Sequence, residues 1–165
     1  MTARFLSTAA LLAAFATAPA LAQAKPDFSG SWKLNVEKSD PMGGGGGGGG
    51  GGMMRDAVTT ITQTATELTL VTKFGERSLT ATYKLDGTES VNTGMRGETK
   101  SKVKFDGATL VLEHTRNMSG PNGDMQVTSK EVRSLSEDGK IMTVVTTSQG
   151  PNGEMTRKMV YDKQA

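Results

Sequence analysis

A period-two alternation of apolar and polar side chains limits the possible folds of this chain more than any other feature. It recurs in short runs from about residue 56 to the end, and no stretch shows a convincing helical period. In the clearest run, Leu79, Ala81 and Tyr83 alternate with polar neighbours. Successive side chains of a strand point to opposite faces, so this pattern is typical of strands with one buried face. Ten strands are predicted: Ser31–Lys38, Val58–Gln63, Leu68–Phe74, Leu79–Leu85, Glu89–Thr93, Lys100–Phe105, Thr109–Arg116, Met125–Leu135, Lys140–Ser148 and Met155–Tyr161.

The connections between these strands are of two kinds. Asp86-Gly87, Asp106-Gly107 and Asp138-Gly139 are tight hairpin signals, and longer joints lie between them. If consecutive strands run up and down, the Asp-Gly turns gather at one end and the looser joints at the other. A repeat, Gly120–Met125 and Gly150–Met155, falls at the looser end, where duplication of a hairpin explains it. We therefore predict an all-β, up-and-down antiparallel barrel of about 8–10 strands.

The start of the chain reads as an export signal over residues 1–24. Arg4 precedes an apolar run, Pro19 interrupts it, and small residues allow cleavage after Ala22 or Ala24. The apolar run is too short for a stable membrane span. Without cysteine, the chain has no disulfide and no lipid-attachment site. We expect a monomer in a bacterial periplasm or secreted.

Composition narrows the remaining possibilities. Removing Arg4 takes the formal charge from +2 to +1, and the basic residues are scattered, so no nucleic-acid partner is expected. Residues 25–165 suit a single domain. The ten glycines at 43–52 predict a flexible loop within it. They contain G-x-G-x-x-G, but no strand–turn–helix surrounds them, so no dinucleotide cofactor is expected.

The opening segment Phe28–Leu34 carries the only tryptophan, Trp32, two residues after Gly30. With the predicted meander, this G-x-W resembles the calycin superfamily of lipocalins and fatty-acid-binding proteins. The segment from Val160 to Lys163 resembles the closing strand of a fatty-acid-binding protein. Together with Asn35, Lys38 and Ser39, the opening resembles small secreted bacterial lipocalin-like proteins with no assigned role. The resemblance implies a lipocalin-like barrel that binds a hydrophobic molecule, with Gly30 and Trp32 as its structural signature.

The chain departs from that family in four features. The helical lid of fatty-acid-binding proteins is replaced by the glycine run, and their carboxylate-binding R-x-Y would need arginine where this chain has Met159. The T-D-Y type turn of lipocalins and the helix after their last strand are also missing. Recognition of a headgroup in the family's manner is therefore not implied.

Four residues are candidates for ligand binding. Arg157 and Tyr161 share one face of the last strand, Arg133 shares a face with Glu131, and His114 alternates with Leu110 and Leu112. A buried charge is expensive unless it is paired, so an inward arginine either pairs with Glu131 or holds an anion. For Arg157 the family resemblance favours packing beneath Trp32 as a structural clasp over a role as ligand anchor.

These residues support several functions. We expect a non-catalytic protein that binds a small hydrophobic ligand, because one histidine, no cysteine and no G-x-S-x-G offer little for catalysis. The alternatives are a structural or interaction module of the envelope with a filled barrel and, lowest, a minor isomerase or hydrolase. Copper(I) binding by thioethers is a further alternative, although no ordered metal motif is present and no metal or other cofactor is expected. Several methionines fall beside the looser joints: Met42, Met53, Met54, Met95, Met118, Met125 and Met155.

Overall fold

A computed structural model describes residues 25–41, 56–94, 97–120, 123–150 and 153–165. The predicted export signal at 1–24 and the glycine run at 43–52 lie outside the described residues, as do Met42, Met53, Met54 and Met95. The described residues contain no helix, and therefore none that is long and apolar enough to cross a membrane.

Ten antiparallel strands form one sheet that curves into a nearly closed barrel, which confirms the predicted fold class. Around the barrel, the strands follow the order β4-β3-β2-β1-β10-β9-β8-β7-β6-β5. Each pair joined by a hairpin is adjacent except β4 and β5, which end the sheet on either side of a gap. The strands are β1 (Gly30–Leu34), β2 (Val58–Gln63), β3 (Glu67–Phe74), β4 (Arg77–Lys84), β5 (Glu89–Gly94), β6 (Gly97–Asp106), β7 (Thr109–Gly120), β8 (Gly123–Leu135), β9 (Ile141–Gly150) and β10 (Gly153–Lys163).

The two ends of the barrel differ as the turn chemistry predicts. All three Asp-Gly pairs connect strands at the end that also holds Trp32, called the closed end below. Gly87, Gly107 and Gly139 have positive φ, the backbone conformation that favours glycine in tight turns. Gly75-Glu76 lies at the opposite, open end, as do the last residues of β5, β7 and β9 and the first residues of the strands that follow them.

The apolar core fills the closed end. Trp32 and Phe28 have no exposed surface, and the indole Nε1 donates to the Phe28 carbonyl oxygen at 2.9 Å. A buried indole N–H needs such a partner, and the segment before β1 supplies it by folding across the barrel. Gln63 fixes that segment, since its amide accepts from Phe28 N and donates to Pro26 O. Other residues with almost no exposed surface are Ile61, Leu68, Val103, Leu110 and Leu112.

The first strand is shorter than predicted. It ends at Leu34, and the chain turns over Val36–Lys38 although the alternation predicts a strand to Lys38. Asn35 causes the turn, because its side-chain oxygen accepts from Lys38 N at 3.0 Å and its carbonyl oxygen accepts from Ser39 Oγ at 2.6 Å. Ser39 and Asp40 then continue along β10 and accept from the main chain of Val160 and Lys158.

The gap between β4 and β5, called the seam below, is bridged by side chains. Ser90 Oγ accepts from Lys84 N at 2.9 Å. The Asn92 side chain accepts from Thr82 N at 2.8 Å and donates to Thr82 O at 3.0 Å. Both bridges lie toward the closed end, and for residues 77–81 no hydrogen bond to the described part of β5 is present.

Candidate functional site

The barrel interior carries polar groups above its apolar base because several strands place them on their inward positions. In β7 the alternation that buries Leu110 and Leu112 continues to His114 and Arg116. Opposite them on β8, the inward positions hold Ser129, Glu131 and Arg133. Two cavities lie among these side chains.

The first, called the seam cavity below, has a volume of about 290 Å³. It lies between the seam and strands β6, β7 and β8. Its apolar walls come mainly from Leu79, Ala81 and Val127, and its polar groups include Arg116 and His114. The full lining is Leu79, Thr80, Ala81, Tyr83, Asn92, Thr93, Gly94, Thr99, His114, Arg116, Val127 and Ser129.

The second, called the central cavity below, has a volume of about 180 Å³. It is mostly apolar, with one charged pair and a tyrosine on its wall. Its lining is Leu34, Ala57, Thr59, Leu70, Thr72, Phe74, Glu131, Arg133, Met142, Val144 and Tyr161.

Arg133 and Glu131 form an ion pair on the wall of the central cavity, through Arg133 Nε and Glu131 Oε1. The Arg133 side chain is 10% exposed and that of Glu131 is 17% exposed. The sequence left two alternatives for an inward arginine, pairing with Glu131 or holding a ligand's anion. Arg133 is paired with Glu131. A paired guanidinium has most of its charge balanced, so it attracts a ligand anion less than a free one does.

His114 is tied to the wall of the barrel. Its Nδ1 lies 2.8 Å from Ser101 Oγ, and its ring packs edge-on against Tyr83 with 6.1 Å between centroids. Burial lowers the pKa of His114 below its usual 6.5, and Arg133 and Arg116 lower it further, although Glu131 acts in the opposite direction. The imidazole is therefore neutral at physiological pH.

The two interior tyrosines remain phenols. Burial is the main cause that raises the pKa of Tyr83 and of Tyr161 above the usual value of 10.0. Each can donate its hydroxyl proton to an acceptor within its cavity.

The candidate ligand-binding residues do not form one cluster. Arg133 and Tyr161 line the central cavity, and His114 lines the seam cavity. Arg157 is on the inward face of β10 opposite Thr146, and neither cavity includes it in its lining. The roles of all four in ligand binding stay predictions.

The clasp on Trp32 is Lys163 instead of Arg157. Lys163 pairs with Trp32 in the β1–β10 register, and its Nζ lies 5.3 Å from the centre of the indole. Arg157 is far from the indole because it belongs to the other end of β10, beyond Met159 and Tyr161. The suggestion that Arg157 stacks beneath Trp32 is wrong for this reason.

Sequence reasoning missed Arg116 and Asn92. Arg116 was detectable, because it continues the inward period of Leu110, Leu112 and His114 by one further step. Its Nε is buried, and no residue in the described part of the chain accepts a hydrogen bond from it. No pattern in the sequence marks Asn92 in this way, because its role depends on the absence of pairing between β4 and β5, which the sequence does not indicate.

Solved structures with the same fold include a bile acid-binding protein, a fatty acid transporter and an abundant heat soluble protein. The zebrafish ileal bile acid-binding protein complexed with cholic acid has a TM-score of 0.57 and 18% identity, covering 83% of this chain and 98% of that chain. The REP1-NXSQ fatty acid transporter has a TM-score of 0.58 and 16% identity, covering 84% and 96%. A SAHS (abundant heat soluble) protein from Ramazzottius varieornatus has a TM-score of 0.57 and 14% identity, covering 82% and 94%.

These similarities confirm the up-and-down β-barrel fold expected from the G-x-W opening and the meander. No protein-family model and no curated protein sequence matches the chain. At 14–18% identity, the likeness to the solved structures concerns the fold.

Proposed function

We propose that this protein binds a small hydrophobic ligand inside its barrel, without catalysis, in a bacterial periplasm. The observation that carries the proposal is the unfilled interior, with cavities of about 290 and 180 Å³ above a densely packed base. Ligand sites are concave, mainly apolar and furnished with a few polar groups, and both cavities share this character. The seam cavity is close to the lower size limit of such sites, about 300 Å³, and the central cavity is smaller.

The fold supports the same proposal. Barrels of eight to ten strands are wide enough to hold one small ligand. The zebrafish protein of the same fold is a bile acid-binding protein, and REP1-NXSQ is a fatty acid transporter. A molecule with an apolar body of a size that these volumes admit and one polar group suits the interior of this barrel.

The arrangement of Ser101 and His114 supports binding without chemistry. A serine next to a histidine is the usual nucleophile–base pair, but a nucleophile must also reach its substrate. Ser101 is 2% exposed, lies 2.8 Å from His114 Nδ1 through its hydroxyl and does not line the seam cavity, so it is poorly placed to attack a molecule bound there. We interpret this pair as a hydrogen bond that fixes the ring.

A fluorescence titration with N-phenyl-1-naphthylamine, an uncharged apolar probe, tests the proposal. Trp32 is the only tryptophan and sits at the closed end of the barrel, so it serves as an energy-transfer donor to a probe in the interior. We expect saturable transfer with one site per protein and displacement by cholate or by a long-chain fatty acid. Transfer that never saturates, or no transfer, would favour an interaction module with a filled barrel.

Export is tested separately by mass spectrometry of the protein recovered from the periplasmic fraction. A mature mass that corresponds to cleavage after Ala22 or Ala24 is expected. Recovery only from the cytoplasm with residues 1–24 intact would contradict the periplasmic part of the proposal.

A further inference from the structure

The seam cavity opens through the side of the barrel wall. Thr80 and Thr93 lie on the outward, exposed positions of β4 and β5, yet both line the cavity together with the inward Ala81 and the exposed Gly94. A cavity confined to the interior would be lined by inward positions only. The bridges of Asn92 and Ser90 close the seam nearer the closed end, and the wall beside Thr80 lies beyond them.

Arg116 is the charged group of this cavity, and its charge is not balanced. Within the described residues, no carboxylate lies within 4.0 Å of its guanidinium, whereas Arg133 is paired with Glu131. Arg116 Nε is also buried and has no hydrogen-bond partner among the residues that the structure describes. A buried donor that lacks an acceptor is destabilising, and an acceptor carried by a ligand removes that penalty.

The surroundings of Arg116 fit an oxyanion attached to an apolar body. Asn92, Thr99 and Ser129 line the same cavity and offer further donors, and Leu79 and Val127 supply apolar wall. Burial and the neighbouring arginines keep the pKa of His114 low, so the imidazole adds no charge of its own. A planar guanidinium matches carboxylate, sulfate, sulfonate or phosphate with paired hydrogen bonds.

We propose that the seam cavity is a lateral binding site for an anionic amphiphile, with Arg116 holding the anionic group and the seam serving as its way in. This inference rests on the proposed function and adds the ligand's charge, its anchor and its route. In this proposal the ion pair of Arg133 and Glu131 is a structural part of the barrel wall and does not bind the ligand's anionic group.

Two probes with one aromatic skeleton separate the anchor from the cavity. 8-Anilino-1-naphthalenesulfonate carries a sulfonate, and N-phenyl-1-naphthylamine lacks it. We expect Arg116→Met to weaken sulfonate binding at least about tenfold, the size of one charge-assisted hydrogen bond, and to leave binding of the neutral probe unchanged. Arg116→Lys keeps the charge and loses the planar guanidinium, so its affinity for the sulfonate probe should lie between those of wild type and Arg116→Met.

Arg77→Met is the matched control, because it removes the same charge from an exposed position on β4. It should leave both affinities unchanged. If wild type and folded Arg116→Met bind the sulfonate probe with equal affinity, Arg116 does not hold the anionic group. The same conclusion follows if Arg116→Met weakens the binding of both probes equally. If neither probe binds the wild-type protein, the proposed function fails and this inference fails with it.

The route is tested by blocking the seam. The chain has no cysteine, so Thr93→Cys can be labelled selectively with a bulky maleimide. We expect the association rate of the sulfonate probe to fall at least about tenfold on labelling, as when an access route becomes limiting. Two controls should keep the unlabelled association rate. One is wild type treated with the same reagent, and the other is labelled Val91→Cys, which lies on the same outer face of β5 nearer the closed end. An unchanged rate in labelled Thr93→Cys would show that the ligand enters elsewhere.

Discussion

The side-chain amide of Asn92 binds both main-chain groups of Thr82 across the seam, in the way that a paired strand would. It accepts from Thr82 N at 2.8 Å and donates to Thr82 O at 3.0 Å. An unpaired edge exposes a row of donors and acceptors to other chains, and here one side chain satisfies two of them. The barrel is thereby closed at this level without a ladder between β4 and β5.

Asn92→Ala removes both bonds and leaves the Thr82 main chain unpaired. We expect the free energy of unfolding to fall by about 1–3 kcal/mol, measured by urea denaturation. Thr93→Ala, at the exposed neighbouring position, should change it by less than about 0.5 kcal/mol. Equal stability of the two variants would show that Asn92 does not hold the seam.

Trp32 is the centre of the closed end. Trp32→Ala deletes a ring that has no exposed surface and should lower the free energy of unfolding by about 3–5 kcal/mol. In the wild-type protein, its emission should be blue-shifted relative to the urea-unfolded chain. Native emission at the unfolded wavelength would mean that water reaches the indole.

Lys163 should contribute little to stability beside Trp32. Its ammonium lies 5.3 Å from the ring centre, and exposed cation–π pairs are worth roughly 0.5–1 kcal/mol. Lys163→Met keeps the aliphatic cover and removes the charge. We expect the free energy of unfolding to fall by an amount in that range, measured by urea denaturation. A fall as large as that caused by Trp32→Ala would contradict a minor contribution from Lys163.

Gly30 is required by its backbone and by its neighbour. Its φ is +134°, and a Cβ built on it would lie 2.5 Å from Lys163 Cε. Gly30→Ala should therefore lower the free energy of unfolding by about 1–3 kcal/mol, measured by urea denaturation. Because the Lys163 side chain can move, Lys163→Ala should relieve only the steric part. Full rescue by Lys163→Ala would mean that the backbone conformation imposes no strain.

His114 makes stability depend on pH near neutrality. Its pKa is lowered in the fold, so the unfolded chain binds the proton more tightly, and stability is highest above the unfolded pKa of 6.5. It falls as the pH decreases below that value, by at most about 1.4 kcal/mol per pH unit for one proton. Urea denaturation between about pH 7.5 and pH 5.5 should show this slope, and His114→Gln should lack it.

Three aspartates with lowered pKa values affect the free energy of unfolding in a more acidic range than His114 does. They are Asp27, Asp86 and Asp138. Each starts from 3.8 and is lowered mainly by hydrogen bonds from neighbouring hydroxyls, so each contributes stability that is lost only as the pH falls below that value. An identical slope in wild type and His114→Gln above pH 5 would contradict the assignment to His114.

The sequence predicts the strands and turns well because both depend on local chemistry. Leu79, Ala81 and Tyr83 alternate with polar residues, and the structure places them inward as that alternation requires. The Asp-Gly turns likewise need no information from distant residues. The same reasoning extends β1 too far, because it ignores the ability of Asn35 to hydrogen-bond its own following backbone.

The site was less predictable because it depends on register between strands. Which cation lies over Trp32 follows from its pairing with Lys163, and no local pattern in β10 distinguishes Lys163 from Arg157. The pairing of Arg133 with Glu131, two positions apart on one inward face, was among the predicted alternatives. The seam was not predictable, since a hairpin signal such as Asp86-Gly87 normally implies paired strands, and here it joins the two strands that do not pair.

The most direct test of the central claim is a filtered nuclear Overhauser spectrum of the protein with bound N-phenyl-1-naphthylamine. The account predicts contacts from the naphthyl protons to interior methyl groups, those of Leu79 and Val127 in the seam cavity or of Leu70 and Val144 in the central cavity. Val91 and Met155, which are 52% and 61% exposed, should show none. Contacts confined to Val91 and Met155 would place the probe on the outer surface and contradict a ligand-binding interior.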